Sequence, residues 1–158
     1  MEINDPFEEF LKKNQNKNKD FDAELRKDKW VKSVDSLFDN VEKWLQPFFE
    51  QKLMSARRKE FQLTEDFIGY YQTERMELFV GSQILTLKPV GTLVIGSLGR
   101  IDFIGPHHVY MLVQKEWDKW SFAFREHTYD KPKYVKLKQD IFKAAIQDLI
   151  QGTHEIFK

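Results

Sequence analysis

The chain has 158 residues, enough for one domain to enclose a core of its own. Hydrophobic residues make up 41% and aromatic residues 15%, with fourteen Phe, which excludes a disordered chain too poor in apolar surface to offset its ordering entropy. Lys plus Arg and Asp plus Glu each number 25, so no global charge draws the chain to nucleic acid or an anionic membrane, and the lack of Cys excludes disulfides, thiolate catalysis and Cys-ligated zinc.

Met1 leads into Glu2, Asp5 and Glu8 and not into a basic stretch followed by an apolar run, which points to the cytoplasm. No apolar stretch approaches the roughly 20 residues that cross a bilayer, so no membrane is expected. Asp5 and Pro6 open a first short helix over 5–13, with acids in its first turn and lysines in its last. The polar run 14–19 reads as a loop. From about Asp22 to Gln46 the period is helical: Trp30, Val34, Leu37, Val41, Trp44 and Phe48 step by four and three, and Val31, Phe38 and Leu45 widen the stripe. Pro47 predicts a kink or restart before Phe48 and Phe49, with a short piece running to about Met54.

After Lys59 the period changes to two. Phe61 and Leu63 alternate up to a turn at 64–66, Met76, Leu78 and Val80 form a strand, and Gly81-Ser82 is a hairpin turn leading to Leu85 and Leu87, with Pro89 as the stop. Further strands are expected at 92–97, 100–104, 109–115 and 120–126, separated by breaks at Leu98-Gly99, Gly105-Pro106 and Asp118-Lys119. Such spacing holds no crossovers, so the strands form an antiparallel meander. An edge strand at 134–137 and a helix from Asp140 to Gly152, with Ile141, Phe142, Ala145, Ile146, Leu149 and Ile150 on its apolar face, complete the chain.

The fold these elements imply is α+β: an N-terminal helical segment and a C-terminal helix packed on a curled antiparallel β-meander, a half-barrel of six or seven strands. The chain reads as a single domain over 1–158, with a helical arm at 1–54, the meander at 59–126, and the edge strand and C-terminal helix at 131–152.

Several clusters carry potential chemistry. The glycines of 91–99, followed by Arg100, offer backbone N–H groups to a phosphate, although a strand follows where a P-loop requires a helix. Asp102 on one strand, with Gln114 and Glu116 on the next, resembles the Asp and acidic-x-Lys pattern of restriction-type metal-dependent nucleases. Gln114 stands where that pattern has an acid, and Glu116 where it has lysine. An Arg100–Asp102 pair on one strand face is the plainer reading. His107 and His108 are adjacent, so on a strand they point to opposite faces and cannot share a metal; no metal site and no cofactor is expected. Two lysine and arginine clusters, at 52–59 and 131–138, the second with Tyr129 and Tyr134 interleaved, suit either a nucleic-acid groove or a solvated edge. Trp117 and Trp120 flank a hairpin tip, as a protein-binding hot spot would; Phe7, Phe10, Phe48 and Phe49 pose the same question in the helical arm.

No nucleophile–base pair or carboxylate dyad can be assembled from these residues. The expectation is a non-enzymatic cytoplasmic protein-interaction module (an accessory, immunity-type or assembly subunit) that binds a protein partner or a second copy of itself. Arg100, His107, His108, Trp117 and Trp120 are the binding candidates. A nuclease-like enzyme using Asp102, Gln114 and Glu116, or a nucleic-acid-binding protein, is the alternative.

Overall fold

The computed structural model of the chain describes residues 5–19, 22–94 and 96–158. Residues 1–4, where the acidic opening run begins, and Ile95, inside the strand expected at 92–97, lie outside them. Helix α1 spans Pro6–Lys19, and Asp5 Oδ1 caps it by accepting the Phe7 N–H at 2.9 Å. It runs past Lys13 through the expected loop, a stretch with neither Gly nor Pro to stop it. Helix α2 spans Ala23–Glu50, its N-cap Asp22 accepting the Leu25 N–H at 3.0 Å.

Pro47 does not break α2. It sits in the last turn and is exposed, so the single carbonyl it deprives of a partner can be served by water. The helix closes with two reverse bonds, Lys52 N–H to the Phe49 carbonyl and Leu53 N–H to the Phe48 carbonyl, both 3.0 Å. Lys52 takes the left-handed position (φ 58°) that glycine usually fills in this closing motif.

Seven strands follow: β1 Ser55–Glu65, β2 Gly69–Val80, β3 Gln83–Gly91, β4 Arg100–Ile104, β5 Val109–Glu116, β6 Lys119–Phe124 and β7 Lys133–Lys136. They form one antiparallel sheet in sequence order, with β1 and β7 as its two edges, so the curled meander stays open. Helix α3, Gln139–Gln151, and a 3-10 turn at Glu155–Phe157 end the chain.

One face of the sheet is the core. Met76, Leu78, Leu85, Leu87, Ile101, Phe103, Tyr110, Leu112 and Phe122 point to it and are fully buried, together with Trp30, Val34, Phe38 and Val41 of α2 and Phe142, Ala145 and Leu149 of α3. Phe103 stacks on Phe142 at 5.1 Å between ring centroids, and Trp30 packs on Trp120 at 6.1 Å. These aromatic contacts fasten one helix each to the sheet. Beyond the Met76–Leu87 pair β2 is no longer paired with β3, and the β1–β2 ribbon runs on alone. There burial passes from Met76 and Leu78 to Tyr71 and Thr73, odd positions replacing even ones as the ribbon coils.

Several boundaries differ from those expected. Strand β1 begins at Ser55, ahead of the expected start after Lys59: Arg58 points toward α2, where it meets Asp39 at 2.5 Å and Glu42 at 2.7 Å, and an inward arginine hides the alternation. Thr64 and Glu65 belong to β1, and the turn falls at 66–68. Pro89 does not end β3, which continues through a bulge to Gly91. The segment 92–97 is no strand: among its described residues only Val94 and Ser97 form a bridge. Leu98 and Gly99 extend the ladder to β5 and make no turn, since Leu98 N–H donates to the Gln114 carbonyl and Gln114 N–H to that of Gly99. Lys138 is the N-cap of α3, with Asp140 in the first turn. Gly152 closes α3 in the left-handed region (φ 75°).

Candidate interaction surface

Neither α2 nor α3 covers the second face of the sheet. Register places its side chains in cross-strand rows. Arg57, Glu77, Thr86, Ile104 and Val109 form one row; Lys59 opposite Arg75 begins the next, which continues through Lys88, Asp102, Met111, Ala123 and Tyr134. Arg100, Val113, Ser121 and Lys136 form the third, with Lys115 just beyond Val113. The residues named in these rows include seven cations and two carboxylates, in a chain whose net charge is zero.

The carboxylates are already engaged. Glu77 accepts from Lys59 at 3.0 Å and from Arg57 at 3.5 Å, and Lys59, then Arg57, hold its carboxyl below the ordinary range against the effect of burial. Asp102 is gripped by Arg100 through two bonds of 2.8 and 3.1 Å, which raise the guanidinium pKa. Among the described residues no carboxylate reaches salt-bridge distance of Arg75, Lys88, Lys115 or Lys136. Lys88 lies over the Phe61 ring at 5.6 Å and Lys115 over Tyr134 at 4.0 Å. The second pair borders a shallow pocket of about 230 Å³ lined also by Val113, Glu116, Lys119 and Ser121. Aliphatic groups stand among these cations: Ile84 is 52% exposed and Val109 46%.

The candidates Asp102, Gln114 and Glu116 do not gather. Asp102 lies on the uncovered face, whereas Gln114 points into the core, where its Oε1 accepts from Ser33 Oγ at 2.7 Å and from the Asp118 N–H at 3.0 Å. Glu116 is exposed and paired with Lys119 at 2.7 Å at the hairpin tip. Trp120 is buried against Trp30, and Trp117 is half-buried beneath the Arg26 guanidinium, 5.6 Å from its ring centroid.

The glycine-rich segment holds an anion of its own. Thr92 and Leu93 donate their N–H groups to the Glu65 carboxylate at 3.2 and 2.9 Å, and Tyr71 gives it a short hydroxyl hydrogen bond. Arg26 ties the same loop to α2 through Thr92 Oγ1 at 2.7 Å and the Thr92 carbonyl at 3.0 Å. The amides a phosphate would need are thus engaged from within. Burial, then the Glu65 carboxylate, pushes the Tyr71 phenol up, with Trp30 opposing.

His107 is exposed beside Gly152, while His108 stacks on His154, 4.3 Å between centroids, and edges onto Tyr110. Next to them Asp148, 1% exposed, accepts from Tyr110 Oη, Thr153 Oγ1, and the Glu155 and Ile156 N–H groups. This cluster clamps the last residues onto α3. Among the described residues, no three His, Asp or Glu side chains are set to share a metal ion, and no helix is long and apolar enough to cross a membrane.

Sequence reasoning missed Arg75, Lys88 and Lys115. A signal for the first two was present: a two-residue turn at Gly81-Ser82 sets Val80 against Gln83, and counting back from it brings Arg75 level with Lys88. No protein family, curated protein or solved structure matches this chain.

Proposed function

We propose that this protein is a binding module that works through the uncovered face of its sheet, and that its partner is an acidic polypeptide surface. The cations Lys59, Arg75 and Lys88 support this most directly: Arg75 stands opposite Lys59, Lys88 follows the last β2–β3 pair, Met76–Leu87, and of the three only Lys59 has a carboxylate partner among the described residues. Like charges set opposite one another on a sheet cost roughly 0.2–1 kcal/mol per pair. A partner carrying carboxylates removes that repulsion and adds attraction.

The aliphatic groups between the cations favour polypeptide over nucleic acid. Ile84, Ile104, Val109 and Met111 gain from burial only against apolar atoms, which a phosphate backbone does not present. The rings of this face also lie under cations, Phe61 beneath Lys88 and Tyr134 beneath Lys115, and are not open for bases to stack on.

Fluorescence anisotropy tests the reading with two labelled probes, a random glutamate–tyrosine copolymer and a single-stranded DNA of equal charge. The copolymer is expected to bind, and Lys88→Glu with Lys136→Glu to weaken it by about tenfold or more. DNA binding that outlasts the copolymer's and falls steeply between about 50 and 200 mM salt would move the function to nucleic acid. Binding of neither probe would overturn the proposal.

A further inference from the structure

The edge strand β1 is unusual among the elements of this fold. It is 11 residues long and pairs with β2 alone, so alternate N–H and C=O groups along its other side point away from the sheet. The opposite edge is closed by design of its sequence: β7 has four residues, follows Pro132 and carries Lys133 and Lys136. An open edge of this length is the template for strand addition.

From these features, and resting on the acidic-partner reading above, we infer that β1 receives the partner as an added β-strand, whose residues alternate as acid–x–acid–x–aliphatic. On the uncovered face β1 presents Arg57, Lys59 and Phe61 in succession. A strand laid alongside places one side chain next to each of the three. Glu77 already sits on the β2 side of Arg57 and Lys59, so the incoming carboxylates approach from the side it leaves free. Phe61, half-buried with its ring under Lys88, stands next in line, so the residue added beside it is aliphatic and needs no charge. On the other face Arg58 is held by Asp39 and Glu42, with Glu74 at 3.6 Å, so the positions marked x need no charge there.

The same charges argue against a second copy of this chain. Two β1 strands pairing antiparallel about a two-fold axis near the middle of the strand, where the overlap is longest, bring Lys59 opposite Lys59, or, shifted by one step, Arg58 opposite Arg58 or Glu60 opposite Glu60. Each of these registers sets like charges in contact at its centre. A strand that brings carboxylates to Arg57 and Lys59 meets no such repulsion, which favours a different, acidic strand over a second copy.

The test uses short labelled peptides in which glutamates two residues apart are followed, two residues on, by valine, with threonine elsewhere, made in both chain directions. Each is prepared unmodified and with backbone N-methyl groups on alternate residues of one edge, which blocks strand pairing while leaving every charge in place. The unmodified peptide in one direction is expected to bind, to protect every second β1 amide from hydrogen exchange, and to weaken about tenfold or more when its inner edge is methylated or when Arg57→Gln and Lys59→Gln are introduced. Equal binding of methylated and unmodified peptides, lost with Lys88→Glu and Lys136→Glu, would overturn the strand mode while leaving the acidic-partner reading standing. No binding of any of these peptides would overturn the strand mode, with the copolymer deciding the broader reading separately. A stable dimer with β1 amides protected in the absence of peptide would overturn it in favour of a second copy.

Discussion

Tyr110 donates its hydroxyl proton to Asp148 Oδ2 at 2.8 Å, joining β5 to the last turn of α3. Asp148 is almost wholly buried, yet four donors surround its carboxylate. The bond couples sheet, helix and C-terminal turn, and a hydrogen bond to a buried charge contributes about 1.5–3 kcal/mol. Tyr110→Phe is expected to lower the unfolding free energy in a urea titration by about that amount. Asp148→Ala, which strips all four donors of their acceptor, should cost more and speed hydrogen exchange across 153–157 before the sheet is affected.

The same corner gives stability a two-step dependence on pH. Burial drives the His108 imidazole pKa down, with His154 and His107 adding to it against Asp148. The unfolded chain therefore takes up this proton first, and stability declines as pH falls from about 6.5 towards the depressed folded value. For Asp148, burial works to raise the carboxyl, but Thr153, Ile156, Tyr110 and Glu155 together outweigh it and hold it below the ordinary range. Its contribution is complete above the unfolded carboxyl pKa of about 4 and is lost as pH falls through the lower folded one. Urea midpoints measured from about pH 8 to 3 should show both declines, and His108→Gln should remove only the upper one.

Gly99 lies under the Trp30 ring. A Cβ added there would stand 2.1 Å from a ring carbon of a residue that has no exposed surface. Gly99→Ala is expected to destabilise by about 1–3 kcal/mol, the usual cost of overfilling a packed core, and to shift Trp fluorescence. Gly96→Ala is the comparison without a clash: at φ 79° it meets no atom within 4 Å, so its cost should be confined to backbone strain.

At the tip of the β1–β2 ribbon Phe67 adopts φ 69° while 89% exposed. A bulky residue in the left-handed region costs roughly 1–2 kcal/mol, and no packing offsets it here. Phe67→Asn is expected to raise stability by roughly 0.5–1 kcal/mol in thermal unfolding. No change, or a loss, would mean that Phe67 has contacts that solvent exposure does not reveal.

Much of the fold could be read from residue order, and the failures share a cause. The α2 stripe from Trp30 to Leu45, the Met76–Leu78 and Leu85–Leu87 pairs, the Gly81 turn and the α3 face from Phe142 to Leu149 are apolar residues at the spacing of their element, and each lies where that spacing put it. Where the pattern misled, a polar group had an internal partner that sequence does not display. Arg58 points inward because Asp39 and Glu42 of α2 receive it, and Gln114 because Ser33 does. The strand expected at 92–97 is a loop, since the Thr92 and Leu93 amides are served by Glu65 and the Thr92 and Ser97 carbonyls by Arg26, far away in the chain. Of the candidate surface, Arg100 and the lysines around Tyr134 were visible as types; their gathering on one face with Arg75 and Lys88 needed the register.

Strand order equal to chain order has a consequence for how this molecule folds. Every strand pairs with a chain neighbour, so each pairing closes a short loop and none of the sheet waits on a distant segment of chain, the topology that favours fast folding. The long closure is left to the helices: Trp120 meets Trp30 of α2 from the sixth strand, and Phe142 of α3 meets Phe103 from the far end of the chain. Chain-order pairing also gives the first strand, β1, a neighbour on one side alone, so its outer margin is unclaimed within the sheet.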